Sequence, residues 1–208
     1  MILIAWLPVN ARVLQGTKLG PILFLVMIND LKGISHGTDI WKFVDDISAS
    51  ERLVRNGSSD IQSNLDSITS RSSENFMKLN SMKCEEMRVC FLRETPELLP
   101  LVINGQILEL VHSHKVLGLI IQSNLKWNNH INSVVSKASK RLYILRVLRQ
   151  SGVPAEDLGT LYYALVRSLL EYCCVVWHHA LPSYLADELE RVQKRALGII
   201  LPGIQRSA

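Results

Sequence analysis

Two adjacent carboxylates, Asp45 and Asp46, stand between a short apolar run ending in Trp41-Lys42-Phe43-Val44 and a second short run that starts at Ile47. Unpaired like charges are costly to bury, so the pair belongs at the surface while its flanks do the packing. The local pattern is therefore strand–turn–strand, with β-branched and aromatic residues in the sheet and both acids pushed out at the tip. Two carboxylates at one tip repel each other unless a cation sits between them. Hard divalent ions such as Mg²⁺ seek oxygen clusters of this kind, usually together with substrate phosphates. Taken alone, an Asp-Asp pair marks an ordinary solvated turn, so the residues on either side have to decide.

The chain has 208 residues, 48% of them hydrophobic, which suits one sizeable domain or a domain with an appendage and argues against disorder. A net charge of +4 is compatible with a nucleic-acid partner. The four cysteines, Cys84, Cys90, Cys173 and Cys174, form no zinc-type pair of pairs. They read as reduced thiols of an intracellular protein, in nucleus or cytoplasm, and not of a secreted one. Cys174 and His178 have a chelating spacing on a helix, with Cys173 and His179 beside them, but no second ligand pair accompanies them. The longest apolar run, Ile22 to Ile28, falls well short of the roughly 18 residues a membrane span takes, so no membrane is expected as a partner.

In chain order, Met1 to Leu14 opens without a capping signal, as if inside a domain already under way. Gln15-Gly16-Thr17-Lys18 is a loop feeding a helix that starts near Pro21 and stops at Gly33, apolar almost all round and so expected to be buried. Ser58-Ser59-Asp60 caps a further helix carrying Ile61, Leu65 and Ile68. Met87 to Leu92 is a strand candidate, Asn104-Gly105 turns a small hairpin, and another strand spans Val116 to Ile121 across Gly118. From about Ser123 the hydrophobic period becomes helical. One stripe runs through Ile131, Val134, Val135, Ala138, Leu142 and Leu145. A second passes through Leu158, Leu161, Tyr162, Leu165, Leu169, Tyr172 and Val176, and a third through Leu185, Leu189, Val192, Ala196 and Ile199. A mixed α/β part thus precedes an all-helical part. Trp127 and Trp177 read as packing residues.

No acid appears between Glu109 and Glu156, while Lys126, Lys137, Lys140, Arg141, Arg146 and Arg149 all fall there. A one-signed helical stretch is a candidate phosphate-tracking surface, or else a solvated basic face.

Several of these pieces, in this order, resemble the reverse transcriptases of non-LTR (LINE-type) retrotransposons. Val13 to Phe24, ending in Asn29-Asp30-Leu31, is similar to the family's Gln-Gly motif and the helix behind it. Phe43-Val44-Asp45-Asp46 resembles the two-aspartate motif, and Asn80-Ser81-Met82-Lys83 the Asn-x-x-Lys turn. Lys115 to Ile121 with Leu125 to Ile131 resembles the primer-grip strands and the entry to the thumb. Leu170-Glu171-Tyr172, Val176-Trp177 and Glu190 to Ala196 resemble the family's sequence C-terminal to that entry.

The resemblance implies an α+β fold. Residues 1–121 would form a partial right-hand polymerase palm, an antiparallel sheet with packed helices, and residues 122–208 a helical thumb-like segment. It implies RNA-templated DNA synthesis through two Mg²⁺ ions, with RNA template, DNA primer and dNTP as partners of the intact parent. Asp45 would be a metal ligand with Asp46 as its partner. Lys83 would stabilise charge on, or give a proton to, the leaving pyrophosphate. Gln15 and Gly16 would shape the nucleotide and template pocket, and Gly118 would let the primer approach. Lys126, Lys137, Lys140 and Arg141 would hold the nucleic-acid backbone.

The departures are informative. The family's other metal-binding Asp and its fingers would stand ahead of residue 1. Arg12 replaces a usual Gly, Leu14 a usual Pro, and Ser72-Ser73-Glu74 occupies the place of a usual Trp. The expectation is a fragment that does not polymerise alone. A non-catalytic nucleic-acid-binding remnant and a helical protein-interaction module are the alternatives.

Overall fold

A computed structural model describes residues 18–35, 37–54, 57–77, 79–93 and 96–202. Helix α1 (Leu19–Asn29) leads into the strands β1 (Thr38–Phe43) and β2 (Asp46–Glu51), then helix α2 (Ile61–Glu74) and a 3₁₀ turn at Ser81–Lys83. Short strands come next: β3 (Glu85–Glu86), β4 (Val102–Ile103), β5 (Gln106–Ile107), β6 (Glu109–Leu110), β7 (Ser113–Val116) and β8 (Leu119–Gln122). The remainder is helical: α3 (Asn128–Gln150), α4 (Ala155–Tyr162), a π-helical turn at Tyr163–Arg167, α5 (Ser168–Leu170), α6 (Cys174–Trp177) and α7 (Ser183–Ile200). The architecture is α+β, as expected. Two compact units form. One holds the described residues up to Cys84 with Leu98–Leu108, and the other holds Glu85–Glu97 with the residues from Glu109 onward. The hairpin β7–β8, on the palm side of the expected division at 121/122, is part of the second unit.

In the first unit, β1 and β2 pair antiparallel from Thr38↔Glu51 to Phe43↔Asp46. Strand alternation sends Ile40 and Ile47 to one face. There they pack with Phe24, Ile28, Leu31, Ile68 and Leu79. The loop between α1 and β1 is held by Asn64, buried on α2. Its Oδ1 accepts the Ile34 N–H at 2.7 Å, and its Nδ2 donates to Ser35 Oγ, Thr38 Oγ1 and the Asp60 carbonyl at 2.8, 3.0 and 3.0 Å. Gly33 lies under this network. A Cβ there would stand 3.0 Å from the Thr38 carbonyl oxygen and 3.2 Å from Asn64 Oδ1, so the glycine serves close approach and not the end of α1, which comes four residues earlier. The start of α2 also differs from expectation. Asp60 makes no side-chain cap; instead Glu51 of β2 accepts from the Asp60 N–H at 2.7 Å and from Ser59 Oγ at 2.5 Å.

Helix α1 is not buried. Only Ile28 is enclosed, and Leu19, Ile22, Leu23, Leu25 and Val26 are exposed. The helix meets the hairpin along its Phe24–Ile28 side alone, and among the described residues nothing covers the rest. Met87–Leu92 is not a strand either. β3 stops after pairing in parallel with β6 at Glu85↔Glu109 and Glu86↔Leu110, because a strand ends where its neighbour ends and β6 is two residues long.

The second unit is built on α3. No Gly or Pro interrupts residues 128–150, and the helix ends in a Schellman motif: Gly152, at φ +84°, donates to the Arg149 carbonyl and Val153 to the Leu148 carbonyl. Its stripe Ile131, Val134, Ala138, Leu142 and Leu145 is buried against Leu158, Tyr162, Val166 and Leu170 and against Leu185, Leu189, Val192, Ala196 and Ile200. The first stripe is the expected one. The second is shifted by one residue from Leu165 and Leu169 to Val166 and Leu170. At 100° per residue, steps of four overshoot a straight face by about 40° each. The π turn at Tyr163–Arg167 unwinds the helix and keeps the four-residue ladder 158, 162, 166, 170 on one side. Arg141 on α3 donates to the Leu165 carbonyl inside that turn.

Helices α3 and α7 lie side by side and parallel. Asn128 Nδ2 donates to Tyr184 Oη at 2.6 Å and Arg195 Nη2 donates to Ser139 Oγ at 3.0 Å, two bonds with the same sequence offset of 56. Trp127 and Trp177 pack as expected, edge-on to the buried ring of His130 at 5.9 and 5.8 Å.

These buried polar groups have measurable consequences. Asn64→Ala removes four hydrogen bonds and takes away the acceptor of the Ile34 N–H, so the first unit should lose on the order of 1–3 kcal/mol in urea denaturation followed by tryptophan fluorescence. Among the described residues His130 Nε2 has no hydrogen-bond partner, and burial, aided by Lys137, holds the ring's pKa below its usual 6.5. The unfolded chain therefore takes up a proton that the fold resists. Stability is complete above about pH 6.5 and declines as pH falls below it, and His130→Gln should flatten this dependence in thermal melts.

Candidate functional site

The acid pair is positioned by the hairpin β1–β2. The register Phe43↔Asp46 leaves Val44 and Asp45 as the two turn residues, so Asp45 alone occupies the tip and Asp46 opens β2. This corrects the expectation of two acids at the tip. Both carboxylates are exposed. By alternation Asp46 shares the outer face with Trp41, Phe43, Ser48 and Ser50, and Trp41 Nε1 donates to Ser50 Oγ at 3.3 Å. Val44 takes φ +55°, a backbone region that a β-branched residue rarely enters. Strain of this sort persists where the surroundings over-determine the turn, and it collects at functional sites.

What fixes the hairpin is Lys42. Its side chain points to the inner face, and its ammonium donates to the carbonyls of Ile28, Asn29 and Leu31 at 3.1, 2.7 and 3.0 Å. Ile28 and Asn29 close α1 and Leu31 lies in its exit loop; helix-end carbonyls have no partner within the helix, although that of Ile28 also accepts the Leu31 N–H at 3.1 Å. A cation there also complements the negative end of the helix dipole. Next to it, Asp30 is paired with Arg71 of α2, whose hydrogen bond holds the Asp30 carboxyl below the usual range. Sequence reasoning placed Lys42 in the key stretch but gave it no role. The signal was available as a Lys on the same strand face as the inward Ile40.

Lys83 closes the 3₁₀ turn, donating its N–H to the Asn80 carbonyl at 3.0 Å, and its side chain is exposed. Ser81 Oγ of the same turn donates to Gln106 Oε1 at 2.6 Å, tying it to β5. Among the described residues no ion pair joins Lys83 to Asp45 or Asp46. Gln15 and Gly16 lie outside the described residues. Gly118 serves a local purpose. With Leu117 it makes a two-residue turn, both at positive φ (+92° and +47°), as a type I′ hairpin demands. A Cβ on Gly118 would stand 3.1 Å from Tyr172 Cε1, and Tyr172 Oη donates to the Leu117 carbonyl at 2.7 Å. What comes close to this glycine within the chain is a tyrosine ring of the same unit.

Of the expected backbone-holding cations, Lys126, Lys137 and Lys140 are exposed, and Arg141 is half-buried on Leu165. Rotated at 100° per residue, Lys140 faces directly away from the α3 stripe, with Lys137 on one shoulder.

A carboxylate pair fits a hard cation by its donor chemistry. Among the described residues, however, no three or more His, Cys, Asp or Glu side chains cluster as a metal site. Asp45 and Asp46 would thus leave most of a Mg²⁺ shell to water, phosphates or other groups.

No family model matches the chain, and no solved structure matches it. Among curated proteins it is similar to RNA-directed DNA polymerases of a LINE-type mobile element, in line with the resemblance of its motifs. It is 24% identical over 188 residues to the RNA-directed DNA polymerase from mobile element jockey of Drosophila funebris, covering 85% of this chain and 20% of the relative. To the jockey polymerase of Drosophila melanogaster it is 23% identical over 206 residues, covering 91% of this chain and 22% of the relative. The chain spans about a fifth of the length of these curated relatives. Among the described residues no helix is long and apolar enough to cross a membrane.

Replacing Lys42 by Met takes the ammonium donor away from the Ile28, Asn29 and Leu31 carbonyls, of which Ile28 keeps the Leu31 N–H. Lys42→Met should cost about 1–3 kcal/mol of stability. It should also speed hydrogen exchange at the β1–β2 amides, measured by mass spectrometry.

Proposed function

We propose that this chain corresponds to the part of a retrotransposon RNA-directed DNA polymerase that carries the two-aspartate hairpin. The observation that carries the reading is the exposed Asp45–Asp46 pair on a hairpin clamped by Lys42, in a chain similar over most of its length to two such polymerases. Asp45, at the tip, is the direct Mg²⁺ ligand, and Asp46 on the outer face is its partner. When bound, the Mg²⁺ ions activate the primer 3′-hydroxyl and neutralise the leaving pyrophosphate. Lys83 supplies positive charge for, or a proton to, that pyrophosphate. Gln15 and Gly16 border the nucleotide and template. The second unit holds the phosphate backbone of template and primer through its basic residues. The chain alone does not polymerise, since among the described residues no further carboxylate clusters with Asp45 and Asp46 to hold two ions.

A chimera tests this. The 208-residue chain replaces the matching part of the Drosophila melanogaster jockey polymerase, and primer extension is measured on an RNA template with Mg²⁺. The chimera should incorporate nucleotides, and Asp45→Ala should reduce incorporation by at least about 100-fold. An inactive chimera that folds, or one indifferent to Asp45, counts against the reading. Incorporation by the isolated 208-residue chain, abolished by Asp45→Ala, would refute its inactivity.

A further inference from the structure

The acid-free stretch of α3 suggested where phosphates would lie, but the structure points elsewhere. On the flank where α3 and α7 run in parallel there is a groove of about 560 Å³ lined by Val135, Glu188, Arg191, Lys194 and Arg195. We infer that this groove is the chain's principal seat for a nucleic-acid phosphate backbone, with Arg191, Lys194 and Arg195 as its phosphate ligands. The inference rests on the polymerase reading for the class of partner, and on the groove itself for the place.

The cations converge because of helix geometry. Residues 191, 194 and 195 are spaced i, i+3, i+4 and so share one side of α7, next to the buried stripe Leu189, Val192 and Ala196. Arg195 is oriented by Ser139 across the groove through one guanidinium nitrogen, which leaves its other N–H groups for a ligand. Arg191 has no hydrogen-bond or ion-pair partner among the described residues, and it sits one turn before Arg195, about 6 Å along the axis. A nucleic-acid strand advances about 3.4 Å per charge, so this length matches about two phosphates. Lys194 is shared with Glu190 at 3.3 Å in an exposed pair that yields readily to a polyanion. With three cations against Glu188, the lining carries a net positive charge. On α3, by contrast, Arg141 is committed to the Leu165 carbonyl, and Lys137 and Lys140 lie on the helix face turned away from the groove.

The test uses the full chain and an RNA–DNA hybrid of about 20 base pairs, with affinity measured by fluorescence anisotropy over a range of NaCl concentrations. The triple variant Arg191→Gln/Lys194→Gln/Arg195→Gln should weaken binding at least about tenfold and reduce the salt slope by 2 to 3, roughly one per lost phosphate contact. Lys137→Gln/Lys140→Gln should change the slope by less than about 1. Glu188→Gln removes the acid without touching the cations and should tighten binding several-fold, which keeps the inference testable if the triple variant misfolds.

Equal weakening by both sets, or an unchanged affinity in the triple variant and in Glu188→Gln, overturns the groove. Tighter binding of polyglutamate than of the hybrid would assign the groove to an acidic protein and overturn it as well. Failure of the wild-type chain to bind the hybrid overturns the groove while leaving the chimera to decide the polymerase reading.

Discussion

One ammonium group sets the geometry of the first unit. Lys42 sits on three carbonyls at the end of α1 and the start of its exit loop, those of Ile28, Asn29 and Leu31, and it is three residues from Asp45. Without a cation in that position the C-terminal end of α1 would lose a shared donor, and the tip half of the hairpin would rest on the small cluster around Ile28 and Ile68, since the Asn64 and Glu51 bonds hold its other end. The contact therefore couples two features that are separate in sequence: an apolar helix that would otherwise drift, and an acidic turn that must be presented at a fixed height. Asp30–Arg71 and the Asn64 network extend the same joint to α2. The strain at Val44 is tolerable because both strands leading to it are held in this way.

Much of this was legible in the sequence because it was periodic. The first and third helical stripes needed only a 3.6-residue repeat, and the structure buries them nearly as read. Asn104-Gly105 announced its own turn. Other elements were hidden because their cause is tertiary. Nothing local says that β3 has a two-residue neighbour, so Met87–Leu92 looked like a strand by composition. Nothing local says that α1 will meet a partner on one side only. The shift from Leu165 to Val166 comes from a π turn, which the α-helical repeat cannot anticipate. At the site, the residue types of the acid pair and of the lysine turn were readable. The split of the acids between tip and strand came from register, which a one-residue change in the turn would alter.

The basic residues teach a related lesson. A window free of acids draws the eye to α3, yet charge counted along a chain is not charge gathered on a surface. Arg141 is spent on a backbone carbonyl, whereas α7, with acids and bases mixed, places three cations on one flank. Folding sorts them by angle, and a linear count cannot.

The parallel pairing of α3 with α7 carries a consequence for how the helical unit comes together. Two helices can run the same way only if the intervening chain travels back along their length, and here residues 151–182 make that return. Contacts spanning 56 residues form after a costly ring closure, so α4 can cover one side of α3 early while the other side waits for the last helix to be made. On a ribosome, the apolar ridge from Ile131 to Leu145 would stay half-dressed until residue 200 has emerged, an interval in which chaperones have a target.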